Sequence, residues 1–392
     1  MNEVFLVSAA RTAIGTFGGS LKGEKPGELG AKVAKEAMKR GGVAPELVEN
    51  VVFGNVVLGE PRDGYTARIA GIGAGIPETA PALTLNRLCG SGLQAIITAA
   101  QGVMLGDHEI ALGGGTDIMS RAAYYLPALR FGQKMGNAEI LDGLNGALTD
   151  PFNLILMGVT AENVAERYGI TREMQDELAL ESQKRATNAI AQGYFKEQIL
   201  PIEVKVKRQV VAFDTDEFVR TDATAEGLAK LKPIFKKDGT VTAGNASGIN
   251  DGAGAVVLAS GEAVKKHGLK PMMRLVSYGV AGVDPAYMGI GPVPATRQAL
   301  AKAGLTLADL DVIEANEAFA AQACAVANEL GFDMAKVNPN GSGISLGHPI
   351  GATGAILTTK LAYELQRSGG RYGLVTMCIG GGQGIAAIWE RC

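Results

Sequence analysis

Residues 80–115 read "APALTLNRLCGSGLQAIITAAQGVMLGDHEIALGGG". The run "APALTLNRL" (80–88) reads as a strand, "SGLQAIITAAQGVML" (91–105) carries a helical pattern, and "EIALGGG" (109–115) reads as another strand. Strand–helix alternation with runs this apolar argues for a sheet covered on both faces. At the switch from strand to helix stands a cysteine, Cys89, bracketed by small residues.

The same alternation extends toward the N-terminus. "EVFLVSAA" (3–10) is a strand, Gly27–Gly41 a helix and "VENVVFGNVV" (48–57) a second strand. From about 119 to 250 the texture changes, with more Tyr, Phe, Met and Lys and fewer clean strands. Within it "TREMQDELALESQKRATNAIAQG" (171–193) predicts a long helix opened by Thr171 and closed by Gly193. "ASGINDGAGAVVLAS" (246–260) reads as the return to the first sheet. Residues 272–392 then repeat the first pattern, and the triplet Gly380–Gly382 echoes Gly113–Gly115. The reading is two copies of one α/β unit, 1–118 plus 251–271 and 272–392, separated by an insertion over 119–250.

Composition narrows the function classes. The chain has 392 residues, 47% hydrophobic and 20% charged, which fits a soluble globular protein of two or three domains. Its 54 glycines follow no G-X-Y period, so they read as turns and close backbone approaches. A net charge of −3 leaves no footprint for nucleic acid. No signal peptide is expected at the N-terminus, and no apolar run suggests a membrane span. Four cysteines in so long a chain make no disulfide framework, so a reducing cytoplasm is the expected compartment. No metal motif and no phosphate loop is present, and "GIGAGIP" (71–77) lacks the context of a dinucleotide site.

A thiol becomes a nucleophile when ionised, and the N–H groups of a helix start favour that form. Cys89 lies just before the helix that Ser91 is expected to cap; the alternative is a small buried core residue. His348, in "SLGHPIGATG", precedes Pro349 at another strand-to-helix switch, the setting of a base or of a turn hydrogen bond. Cys378, in "VTMCIGGGQG", ends an apolar strand beside glycines whose bare N–H groups could hold an oxyanion; an ordinary sheet cysteine is the other reading. Asn316, in "IEANEAFA", reads first as a helix N-cap. Cys324 reads as core and Cys392 as a frayed end, while His108 and His267 read as solvated turn residues.

Taken together, "NRLCGSGLQAI", "NASGINDGA", "NEAFAAQ", "GHPIGATGA" and "CIGGGQGIAA" resemble the thiolase family, in the family's order from residue 4 to 391. "NPNGSGISLGHPIGATG" is similar to bacterial β-ketothiolases of broader chain-length range. The resemblance implies a thiolase-like α/β fold: two βαβαβαββ domains in a layered α-β-α-β-α sandwich, with an inserted loop domain that holds coenzyme A. It implies condensation of two acetyl-CoA to acetoacetyl-CoA plus CoA, and the reverse thiolysis, with no prosthetic group. The alternative within the family is a degradative 3-ketoacyl-CoA thiolase of longer chains. Outside it, a ketoacyl synthase, a cysteine hydrolase and a non-catalytic CoA-binding module are weaker readings.

Carried over motif by motif, Cys89 would be the acylated nucleophile, His348 its activator and Cys378 the group that exchanges the α-proton. Asn316 would hold a water that forms one oxyanion hole with His348, and the N–H groups of Cys89 and Gly380 would form the other. Arg220 would face the adenine or phosphates and Ser247 the pantetheine amides, while Leu148, Met157, Phe235, Ala243, Met288, Ala318 and Phe319 would line the tunnel. Lys205, Lys207, Lys230, Lys232, Lys236 and Lys237 read as a solvated face or as a diffuse field steering phosphates. Two departures from the acetoacetyl-specific pattern stand out: Leu156 replaces a histidine and Gly227 a serine. Leu156 is compatible with longer acyl chains. A homo-oligomer, dimer or tetramer, is expected, with 120–140 as a contact, and a role in polyhydroxyalkanoate synthesis or fatty acid metabolism is implied.

Overall fold

The computed structural model describes residues 1–206 and 208–392, with Val206 described by its backbone. Lys207, one of the six lysines named above, lies outside the described residues. The first half runs β1 (Val4–Arg11), α1 (Pro26–Gly41), β2 (Asn50–Gly54), α2 (Thr66–Gly73), β3 (Ala82–Leu85), α3 (Ser91–Leu105) and β4 (Ile110–Ile118). An excursion carrying α4 (Met157–Tyr168) and α5 (Arg172–Gln192) follows, and the chain returns as β5 (Asn250–Ser260). The second half runs β6 (Met273–Gly282), α6 (Pro292–Ala303), β7 (Val312–Ala315), α7 (Ala320–Leu330), α8 (Thr353–Ser368), β8 (Tyr372–Ile379) and β9 (Gln383–Arg391). Where the first half places β3, the second has only a parallel bridge between Ile313 and Val337.

Pairing repeats as well. β2 runs parallel to β4 as β7 does to β8; β4–β5 and β8–β9 are antiparallel. The two sheets are joined into one, in the order β7-β8-β9-β6-β1-β5-β4-β2-β3, through a short antiparallel seam of Phe5 with Arg274 and Leu6 with Met273. α3 and α8 lie together between the halves, α1 and α2 pack on the first half, and α6 covers the outside of the second.

The central position of α3 follows from its sequence. Leu93, Ala95, Ile96, Ile97, Ala99, Ala100 and Val103 bury all of it but a half-buried stripe of Gln94, Thr98 and Gln101, the mark of a core helix. Among the described residues, Leu88–Leu105 is also the one stretch long and apolar enough to cross a membrane, and most of it is buried inside the protein. α3 and α8 meet at bare backbone: a Cβ on Gly92 would fall 2.8 Å from the Ala355 nitrogen, and one on Gly354 2.7 Å from Leu93 Cβ. α8 buries a cation too, with Lys360 Nζ 2.6 Å from Glu314 on β7. Removing one partner of such a pair costs about 3–5 kcal/mol.

α5 has the ends its sequence specifies: Thr171 accepts from Met174 N at 3.3 Å, and Gly193 turns left-handed at φ 73°. The glycine echo needs correcting. Gly113–Gly115 lies inside β4, whereas Gly380–Gly382 is the turn after β8. The equivalent of that turn in the first half is the whole excursion between Ile118 and Asn250.

Candidate active site

Cys89 sits on a tight turn between β3 and α3. Leu88 before it adopts φ 45°, a left-handed conformation that a branched side chain rarely takes and that the surroundings must enforce. Arg87 N donates to Ser91 Oγ at 2.8 Å, and that hydroxyl donates to Leu88 O at 2.7 Å. Ser91 is therefore not the N-cap. It is the first residue of α3, with Gly90 in the cap position, and its side chain fastens the turn that presents the thiol. The residue is partly open to the cleft, yet burial pushes the thiol pKa up to about 11, and Asp117 adds to the rise. The N–H groups of Gly380 and of Cys89 itself pull the other way. The helix start thus does not leave a resting thiolate, because lost hydration outweighs its N–H groups.

His348 is buried at 4% exposure, and burial lowers its pKa to about 4, so its ring is neutral. Its tautomer follows from its neighbour. Thr353 Oγ1 gives its one hydrogen to Pro349 O at 2.9 Å, so it must accept from His348 Nδ1–H, 2.6 Å away. Nε2 then carries no proton and is able to take one. The backbone N–H of His348 donates to Asn250 Oδ1 at 2.9 Å. Sequence reasoning missed Thr353 and Asn250 as supports, although both lie inside motifs it singled out.

Asn316 follows β7 but caps nothing, since α7 starts at Ala320 with Phe319 in the cap position. Its Nδ2 lies 3.3 Å from His348 Nε2, and its buried Oδ1 has no protein partner. A water is the natural occupant for such an oxygen. Cys378, at the end of β8, is fully buried; burial and then the nearby Cys89 raise its pKa. Gly380 leads the glycine turn, with Leu88 and Met157 against it.

One cleft of about 490 Å³ brings Cys89, His348 and Cys378 together. Leu148, Met157, Arg220, Phe235, Ala243, Ser247, Met288, Ala318 and Phe319 all border it, while Asn316 and Gly380 touch the site from behind. Phe235 and Phe319 meet edge to face, with centroids 6.1 Å apart. Arg220 is exposed at the wall beside Phe218, which the sequence did not single out. Leu156 also borders the cleft, whereas Gly227 lies in an exposed helical turn away from it. Cys324 is buried in α7 and Cys392 is exposed at the end. His108 is half-buried beside Asn50, and His267 ends a short helix rather than a turn.

The arrangement is that of an acyl-transfer centre: a thiol on a strained turn, a neutral imidazole of fixed tautomer, and a second thiol in an apolar cleft. The chain belongs to the thiolase family: residues 4–262 match the family description "Thiolase, N-terminal domain" and 269–391 "Thiolase, C-terminal domain". It is 63% identical over 390 residues to beta-ketothiolase BktB of Cupriavidus necator, covering 99% of each chain. It is 52% identical over 391 residues to an acetyl-CoA acetyltransferase of Chromobacterium violaceum, covering 99% of this chain and 100% of that one. The crystal structure of human mitochondrial 3-ketoacyl-CoA thiolase in complex with CoA superposes with a TM-score of 0.97 at 48% identity, covering 100% of this chain and 98% of that one.

Proposed function

We propose that this thiolase is an acetyl-CoA C-acetyltransferase, a β-ketothiolase that joins two acetyl-CoA into acetoacetyl-CoA plus CoA and runs the thiolysis in reverse. The observation that carries it is the convergence of two cysteines and a neutral histidine of fixed tautomer on one mostly apolar cleft. A hydrolase needs only one of those thiols.

In the first step His348 Nε2 takes the Cys89 proton as the sulfur attacks the thioester carbonyl. The bond from carbonyl carbon to the CoA sulfur breaks, the proton goes to that sulfur, and acetyl-Cys89 remains. In the second step Cys378 passes its proton to His348 and, as the thiolate, removes the α-proton of another acetyl-CoA. The resulting carbanion attacks the acetyl carbonyl, and the Cys89 sulfur leaves and takes back the proton held by His348. Both intermediates carry an oxyanion. The N–H groups of Gly380 and Cys89 suit one, and a water on Asn316 together with His348 suits the other. The neutral resting pair, with thiol near 11 and imidazole near 4, makes proton transfer part of the attack.

The excursion 119–249 would hold CoA, with Ser247 at the pantetheine and Arg220 at the nucleotide end. CoA thioesters enter as substrates, and the reading needs no prosthetic group. The exposed apolar segment with Tyr124, Phe131, Met135 and Ile140 supports a homo-oligomer. The four free cysteines fit a reducing cytoplasm. Acetoacetyl-CoA made here would supply polyhydroxyalkanoate synthesis or fatty acid metabolism.

Intact-protein mass spectrometry after mixing with acetyl-CoA tests the reading. The expected result is an acetyl adduct on the wild type and none on Cys89→Ala. A folded, CoA-binding wild type without the adduct would overturn it.

A further inference from the structure

The pseudo-symmetry of the two halves gives the site a mirror image. Gly92 and Gly354, the second residues of α3 and α8, face each other where the helices cross, so Cys89 corresponds to Gly351. Cys378 is the penultimate residue of β8 and pairs with Gly384; Asp117 is the penultimate residue of β4 and pairs with Gly252. Where the turn before α3 presents a thiol near Cys378, the turn before α8 presents a backbone amide to Asp117: Gly351 N donates to Asp117 Oδ2 at 2.6 Å.

Asp117 is fully buried and has no ion-pair partner among the described residues. Its other oxygen accepts from Asn55 Nδ2 at 2.7 Å, Val56 N at 3.1 Å and Val57 N at 3.0 Å. Those three residues follow β2, whose last residue, Gly54, lies against the start of α3, so close that a Cβ there would fall 2.7 Å from Ser91 Cβ. One carboxylate therefore ties the surroundings of the Cys89 turn to the loop that carries His348. Asn250 on β5 holds the other end of that loop through His348 N, and is itself fixed by Gly15 O at 3.0 Å.

We propose that Asp117 is a positioning residue for acyl transfer, holding the turn before α8, and with it the His348 base, in register with Cys89. Both anchors of the base loop belong to strands of the first half, the half that carries the nucleophile. Burial of an acceptor with four donors would otherwise be an expensive way to close a turn. In its ionised form the carboxylate also adds to the rise of the Cys89 thiol pKa.

The proposal rests on the acyl-transfer reading above, and its test separates the two. In Asp117→Asn one oxygen can still serve residues 55–57, while the amide hydrogens oppose Gly351 N–H. Single-turnover acetylation of Cys89 should slow by about 10²-fold, the scale of a misplaced catalytic group, with CoA affinity unchanged. Gly351→Ala puts a Cβ 2.6 Å from the same oxygen. It should slow acetylation likewise, and the double variant should lose little more than either single one. A folded Asp117→Asn at wild-type rate, additive losses, or a loss matched in CoA affinity overturns the proposal. If Asp117→Asn does not fold, Gly351→Ala decides, and acetylation at full rate overturns it. His348 itself gives a readout free of acylation, being one of three histidines. Its Nδ1 proton, held by Thr353, should exchange faster with solvent in either variant. An unchanged resonance overturns the Asp117 role even if the wild type forms no acetyl adduct.

Discussion

In the second half of the chain the step from β8 to β9 takes three glycines, Gly380–Gly382; in the first half the same step, from β4 to β5, takes residues 119–249. The short version brings a bare amide to the thiol of Cys89, with Gly381 and Gly382 left-handed at φ 76° and 79°. The long version supplies much of the cleft, including Leu148, Met157, Arg220, Phe235 and Ser247. The chemistry sits on the strand ends and helix starts that the two halves share. The enclosure of the substrate sits on the one connection in which they differ, so chain length and CoA contacts can change without moving the thiols.

The largest expected effect breaks the asymmetry at β8. Cys378 stands where the first half has Asp117. Cys378→Ala should retain the acetyl adduct on Cys89 and lose carbon–carbon bond formation by about 10³-fold, within the range for a missing acid or base. Adduct formation by mass spectrometry and acetoacetyl-CoA production by absorbance separate the two steps. Normal condensation by this variant would mean that the second thiol is no base.

Much of this comparison is legible in the sequence, for reasons that differ by element. α3 and α5 are read to within a residue because apolar spacing and caps are local signals. The duplication is legible from strand–helix order, but its register is not. Three glycines look alike inside β4, where Gly113 lets Ile96 lie against the strand, and in the turn after β8. Cys89, His348 and Cys378 are legible as motifs. The protonation of Cys89 is not, because desolvation depends on what the remote cleft walls remove from water. Asn316 fails as a cap for the same kind of reason: its partner is His348, far along the chain. Asp117 carries no local signal, and its importance is visible only once β4 and the turn before α8 meet.

A middle-sized effect tests whether the halves are locked at their crossing. Gly354→Ala would drive a Cβ into the first turn of α3, next to the Cys89 turn, with backbone rather than a pliable side chain in the way. Overpacking of this kind costs about 3 kcal/mol, readable as a lower denaturant midpoint. The same substitution at the exposed Gly146, where a Cβ meets open space, should cost less than about 1 kcal/mol. Equal costs at the two positions would show that the crossing is loose.

The smallest effect concerns pH, and here the buried histidine and the buried carboxylates differ in sign. His348, from the second half, has a folded pKa near 4 against an ordinary value of 6.5. The unfolded chain therefore binds the proton more readily, and this histidine costs stability as pH falls from 6.5 toward 4. Asp117 and Asp251, on β4 and β5 of the first half, are pushed up to about 7 and about 6 by burial. They hold protons more tightly when folded, so their contribution is largest at low pH and is lost as pH rises through those values. Glu314, on β7, is raised to about 7 by burial despite Lys360 and acts in the same sense. Comparing His348→Asn with the wild type cancels the carboxylates, which both proteins share, and isolates the histidine. Relative to the wild type, the variant should gain about 2 kcal/mol in unfolding free energy between pH 7 and pH 5, whatever its offset at pH 7. A gap that stays constant over that range would mean that the His348 ring is already hydrated at rest, and that the thiol beside it need not wait for substrate to give up its proton.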